Sequence, residues 1–169
     1  MNYKKIALIG MMACGKSTIS KYLSKKLDYP NYELDEIFEQ LERTSIKDFF
    51  EQHGEIEFRK KETQILDRIT QKDCFILSTG GGVVLSPKNR ELLFKKDILT
   101  IYLSIDPKTV LNRIKGDTTR PLLNVSNPYK KIEQIINERK KYYNLANLKI
   151  VVDNKTIEQI TEEILAYGN

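Results

Sequence analysis

The stretch that most limits the fold is "GMMACGKST" at 10–18, entered from the apolar run "KIALIG" at 5–10 and left through a helical pattern over 16–27. A strand, a glycine-bounded turn and a helix in that order make a βα unit whose turn aims backbone N–H groups and a helix N-terminus at one point. That arrangement suits phosphate oxygens. The spacing G-x-x-x-x-G-K-[ST] adds Lys16 for the β and γ phosphates of a nucleotide and the Ser17 hydroxyl for Mg²⁺. The motif therefore nominates Ala13, Cys14, Gly15, Lys16, Ser17 and Thr18 as nucleotide-binding, with Cys14 a small filler.

The rest of the chain repeats the alternation. Further strand candidates are "NYEL" (31–34), "CFIL" (74–77), "ILTIYL" (98–103) and "KIVV" (149–152). Helical patterns follow in "DEIFEQLE", over 45–52 and over 55–70. Ser86-Pro87, Asp106-Pro107 and Asn127-Pro128 each pair a capping side chain with proline at the first helical position. Thr156 with Gln159 forms a capping box. Five short strands separated by helices predict one α/β domain over residues 1–169, a five-stranded parallel sheet covered on both faces. Ligands bind beyond the carboxyl ends of such strands, which places Gly10, Asp35, Gly80 and Ser104 along one rim. The polar segment "GDTTRPLLNVSN" (116–127) lies between helices and is long for a compact domain, so a mobile lid is expected over about 114–127.

Composition excludes several classes. No run approaches the roughly 18 apolar residues that span a bilayer, so no membrane partner is expected. The apolar N-terminal run is too short for a signal peptide, and two cysteines are too few for a disulfide framework; a cytoplasmic setting is the expectation. The formal net charge of +5 is concentrated between Arg113 and Tyr143, where eight basic residues face three acidic ones. A local basic excess suits an anionic partner, whether nucleic acid, a nucleotide triphosphate or a small carboxylate, and also describes a merely solvated helix. A nucleic-acid-binding reading would leave the phosphate loop and the features below unexplained, so no nucleic acid is expected.

Absences narrow the chemistry. Asn154-Lys155 is followed by Thr156 and Ile157, so the N-K-x-D of guanine readers is missing. Motor-type ATPases end a strand in acidic residues, whereas "CFIL" runs into Ser78, Thr79 and three glycines, Gly80, Gly81 and Gly82. A small-molecule phosphoryl acceptor fits better than water. Bare backbone at a strand end forfeits packing, so something must approach it closely. Glu33 and Asp35 close the second strand; residues i and i+2 on a strand share a face, so one carboxylate could hold a metal-bound water and the other take a proton. Asp35 capping the following helix is the alternative.

With these motifs the chain resembles the shikimate kinase family, nucleoside monophosphate kinase-like enzymes with a three-layer α/β/α fold. The resemblance runs from residue 5 to about 156. It rests on "GMMACGKST", "ELD" (33–35), "GEIEFR" (54–59), "STGGG" (78–82), "RPLL" (120–123) and "NERKKYY" (137–143), in the family's order. It implies transfer of the γ-phosphoryl group of ATP to the 3-hydroxyl of shikimate, a step toward chorismate and the aromatic amino acids, with Mg²⁺ as cofactor and a monomer as the working unit. Shikimate and ATP/ADP are the implied partners. The family pattern makes Gly80, Gly81 and Gly82 the floor of the acceptor pocket, and Arg59 and Arg139 the clamp on shikimate's carboxylate. It makes Asp35 the base, Arg120 the arginine closing on the transferred phosphate, Arg113 the one stacking on adenine, and Glu33 the carboxylate on the metal through water.

Taken alone, each clamp arginine would be read as a surface salt bridge, and Phe50 and Phe58 serve equally as pocket wall or helix core. His53 has no partner pattern and is expected to face solvent. Two departures stand out: the family loop usually carries glycine where Ala13 stands, so positive φ is not expected there, and the metal-side carboxylate is usually aspartate rather than the longer Glu33. A gluconate kinase of the same group is the runner-up; it would need no carboxylate clamp.

Overall fold

A computed structural model of the chain describes residues 2–114 and 126–168. Five parallel strands, β1 (Lys5–Ile9), β2 (Asn31–Glu33), β3 (Phe75–Ser78), β4 (Ile98–Ser104) and β5 (Leu148–Val151), form one sheet in the order β2-β3-β1-β4-β5. Among the described residues, seven α-helices connect and cover them: α1 (Lys16–Leu27), α2 (Leu34–Glu42), α3 (Ile46–Thr70), α4 (Pro87–Leu93), α5 (Pro107–Arg113), α6 (Pro128–Tyr143) and α7 (Ile157–Gly168).

The two-residue period of the strands sorts the core into two layers. Ile6 and Leu8 of β1 join Ile76, Leu99, Ile101 and Leu103 against α1, α5, α6 and α7. Ala7 and Ile9 face the other way, with Phe75, Leu77 and Tyr102, onto α2, α3 and α4. Both faces of the central strands are buried, which is why these strands read as unbroken apolar runs.

The capping chemistry holds: Ser86, Asp106 and Asn127 accept from Asn89, Lys108 and Lys130 N–H groups, and Thr156 exchanges hydrogen bonds with Gln159. The helices expected over 45–52 and 55–70 are both present within α3 and meet at Gly54, whose φ of 75° and ψ of 174° are non-helical. Glycine reaches that conformation without a Cβ penalty, so the first helix ends there and the second begins at once. Arg120 and nearly all of the expected lid lie outside the described residues. Among the described residues, no helix is long and apolar enough to cross a membrane.

Candidate active site

Adjacent strands β2, β3 and β1 bring three segments to one rim: Glu33 with Asp35, Ser78 with the glycine triplet, and the loop after Ile9. A cavity of about 500 Å³ opens there. The phosphate loop lines it through Ala13, Gly15, Lys16, Ser17 and Thr18. Facing them are Glu33, Asp35, Arg59, Gly81, Gly82 and Arg139, and Phe50 and Phe58 complete the wall. Phe58 is buried and its ring centroid lies 4.5 Å from that of Phe50, the planes tilted by 36°, so the two rings serve both core and pocket. Ser104 ends β4 on the same rim, outside the cavity lining.

Ala13 stands at φ 60°, against the expectation from sequence. A loop that turns successive N–H groups toward one centre alternates right- and left-handed residues. With Gly15 at φ 96° supplying one left-handed position, Ala13 must supply another, at roughly 1–2 kcal/mol of Cβ strain. Cys14 is buried beneath the loop and does not line the cavity. The Lys16 ammonium donates to the carbonyls of Gly10 and Met11 at 3.0 and 2.9 Å. Arg113 donates to the Ala13 carbonyl at 2.9 Å, bracing the loop from the α5 side.

The acidic pair is arranged differently from a strand face. Glu33 ends β2, but Asp35 already lies in the first turn of α2, and no side chain caps that helix. The Ser17 and Ser20 hydroxyls donate to the two Glu33 oxygens at 2.8 and 2.9 Å. Serine and glutamate thus place a neutral and an anionic oxygen side by side, a donor set that suits a hard cation such as Mg²⁺. Burial pushes the Asp35 carboxyl above its ordinary range; Lys16 pulls it back and Glu33 raises it further.

Two of the glycines are explained by space. A Cβ on Gly80 would lie 2.8 Å from Asp35 Oδ1, and one on Gly82 would collide with the Arg59 guanidinium. On Gly81 it would stand 3.6 Å from Arg139 Nη1. The triplet, the aspartate and both arginines therefore share one small volume. His53 is exposed, its ring against Phe49.

Several supporting residues escaped the sequence reading. Arg59 Nη1 donates to both oxygens of the buried Glu62, at 3.0 and 2.9 Å, and Asn89 donates to the same carboxylate at 3.1 Å. The i, i+3 spacing of Arg59 and Glu62 was a visible signal; Asn89, 27 positions further along, was not. Burial raises the Glu62 carboxyl, against the pull of Arg59.

A phosphate loop beside a carboxylate and two guanidinium groups, on this sheet, defines a P-loop kinase acting on a small anionic acceptor. The shikimate kinase family model matches residues 12–167. A shikimate kinase from Sulfurihydrogenibium sp. is 43% identical over 162 residues, covering 96% of each chain. One from Rippkaea orientalis is 41% identical, over 95% of this chain and 85% of that one. The solved structure of the Acinetobacter baumannii shikimate kinase in complex with shikimate matches with a TM-score of 0.92 at 30% identity, covering 98% of this chain and 92% of that one. The Aquifex aeolicus enzyme gives 0.83 at 34%, over 98% and 99%. The chain belongs to the shikimate kinase family.

Proposed function

We infer that this chain transfers the γ-phosphoryl group of ATP to the 3-hydroxyl of shikimate, with the roles divided as follows. Lys16 and the loop N–H groups hold the phosphates. Arg59 and Arg139 fork onto the acceptor carboxylate, and the triplet lets the ring lie against backbone. Asp35 accepts the hydroxyl proton; a carboxyl raised by burial is a better base than an exposed one. Ser17 and Glu33 would hold Mg²⁺, which when bound neutralises charge on the phosphate oxygens. By family resemblance Arg120 meets the transferred phosphoryl group and Arg113 the adenine. A monomeric working unit goes with this reading by family resemblance, and a cytoplasmic setting accords with its ATP and metabolite substrates.

The observation that carries the reading is that Asp35, Arg59 and Arg139 converge on Gly81 and Gly82 within the cavity that also holds Lys16, with the buried Gly80 behind them against Asp35. A coupled assay of ADP release with shikimate, quinate and gluconate side by side tests it. Shikimate is expected to be strongly preferred. Gluconate turnover at a comparable rate would overturn it.

A further inference from the structure

The segment "NERKKYY" contributes more than Arg139. Tyr143 ends α6, is fully buried, and packs on the sheet face opposite most of that helix. Its ring stacks on Tyr102 with centroids 4.8 Å apart and planes 18° from parallel. Its hydroxyl donates to the Gly81 carbonyl at 2.6 Å, across 62 positions of sequence. Arg139 sits one helical turn earlier, the i, i+4 spacing that stacks two side chains on one face. Arg139 Nη1 lies beside that same glycine, 3.6 Å from where a Cβ on Gly81 would stand.

We infer that Tyr143 is a positioning residue for the acceptor, its hydroxyl fixing the Gly81 peptide beside the Arg139 guanidinium in the orientation that receives shikimate. The other two carbonyls of the triplet are tied locally: Gly80 accepts from Val83 N–H at 3.2 Å and Gly82 from Leu85 N–H at 3.0 Å. Gly81 depends on Tyr143. With each carbonyl engaged inside the protein, the triplet keeps chiefly its N–H groups for a ligand. Donors beside two guanidinium groups complement a carboxylate and hydroxyl oxygens. A Gly81 carbonyl swung into the cavity would oppose them.

Burial pushes the Tyr143 phenol up to about 12. It therefore remains a protonated donor over the whole working pH range, and no proton transfer is assigned to it.

The inference rests on the carboxylate-clamp reading, so the test carries both. Tyr143→Phe keeps the ring and its stack and removes only the hydroxyl. Shikimate and MgATP are varied separately for the full-length parent, Tyr143→Phe and Arg139→Lys, with shikimate binding measured by calorimetry. Leaving a buried acceptor unpaired typically weakens what it organises by about 5- to 30-fold. The KM for shikimate in Tyr143→Phe is expected to rise by that factor, with the KM for ATP and the shape of the pH–rate profile unchanged. A loss of thermal stability does not obscure this, because the ratio of the two KM values is independent of the folded fraction. An unchanged shikimate KM in Tyr143→Phe, or an equal rise for both substrates, overturns the positioning role. An unchanged shikimate KM in Arg139→Lys overturns the clamp, whatever Tyr143→Phe does.

Discussion

Gly82→Ala separates space from flexibility as the reason for a glycine. Gly82 has φ −94° and ψ 0°, which alanine adopts without strain. The obstacle is the Arg59 guanidinium: its Cζ would lie 3.0 Å and its Nη1 3.2 Å from the new Cβ, so the group must give by a few tenths of an ångström or more. It is poorly placed to do so. Two hydrogen bonds hold it to Glu62, whose side chain is only 2% exposed, and Glu55 pairs with it at 3.3 Å. Displacement should sacrifice about one charged hydrogen bond, roughly 1.5–3 kcal/mol, or a 10- to 150-fold rise in the KM for shikimate. The phosphate loop is untouched, so the KM for ATP should stay within about twofold. Gly80→Ala presses instead on Asp35 Oδ1 at 2.8 Å, and kcat should fall more than the shikimate KM rises. Both variants are read in one steady-state assay with each substrate varied. A Gly82→Ala enzyme with parental shikimate KM would refute the account of the triplet as space kept for Arg59 and the ligand.

Lys16→Met is expected to nearly abolish turnover and to weaken ADP binding by calorimetry while the melting curve stays cooperative; nucleotide affinity equal to the parent's would count against the phosphate role. Arg59→Lys and Arg139→Lys keep charge but lose the fork, and each should raise the KM for shikimate about 10- to 150-fold, far more than that for ATP. Asp35→Asn should cost about 10²- to 10⁴-fold in kcat, and activity within about threefold of the parent would remove Asp35 as the base. The same variant should be more stable than the parent at neutral pH. Burial raises the folded-state pKa of Asp35 above the unfolded value, so ionisation penalises the fold above that raised value and the penalty vanishes as pH falls toward 3.8. Melting temperatures should therefore differ at neutral pH and converge on acidification; a gap that widens in acid would contradict the burial argument.

What the sequence made legible was local. The extent of α1 followed from a glycine-bounded turn and helical periodicity, and the strands were placed to within about a residue because apolar runs end where polar loops begin. The proline caps marked α4, α5 and α6 for a similarly local reason. The break at Gly54 was visible too, with a helix on either side of it, because glycine takes up a positive φ that ends one helix without strain. Ala13 misled because intrinsic φ preference was weighed without the demand of the loop, which needs a left-handed residue whatever stands there. Asp35 was assigned to a strand face although Leu34 already begins α2; the pairing of β2 with β3 ends at Glu33 opposite Ser78. Asn89 and Tyr143 belong to a different category. Each acts through a partner placed by the tertiary fold, and no spacing rule connects Tyr143 to Gly81.

The two halves of the site hold their cations differently, and the difference follows from their ligands. Lys16 rests against two neutral carbonyls. An incoming phosphate exchanges weak dipolar partners for full opposite charge, so this half is poised for strong anion binding. Arg59 is already paired with a buried carboxylate. A guanidinium has five donors in a fixed fork; those of Nη1 spent on Glu62 fix its plane, while Nε and Nη2 rest on the exposed Glu55 at 3.3 Å, a partner that a second carboxylate can replace. Pairing lowers the net attraction for the acceptor but fixes the direction from which it is met. For phosphoryl transfer that exchange is favourable, because little covalent help is required and most of the rate comes from holding the hydroxyl in line with the phosphate. Asp35 lies between the halves, near enough to Lys16 to feel its charge and close against Gly80. From there a single carboxylate can meet the acceptor hydroxyl where it faces the phosphates.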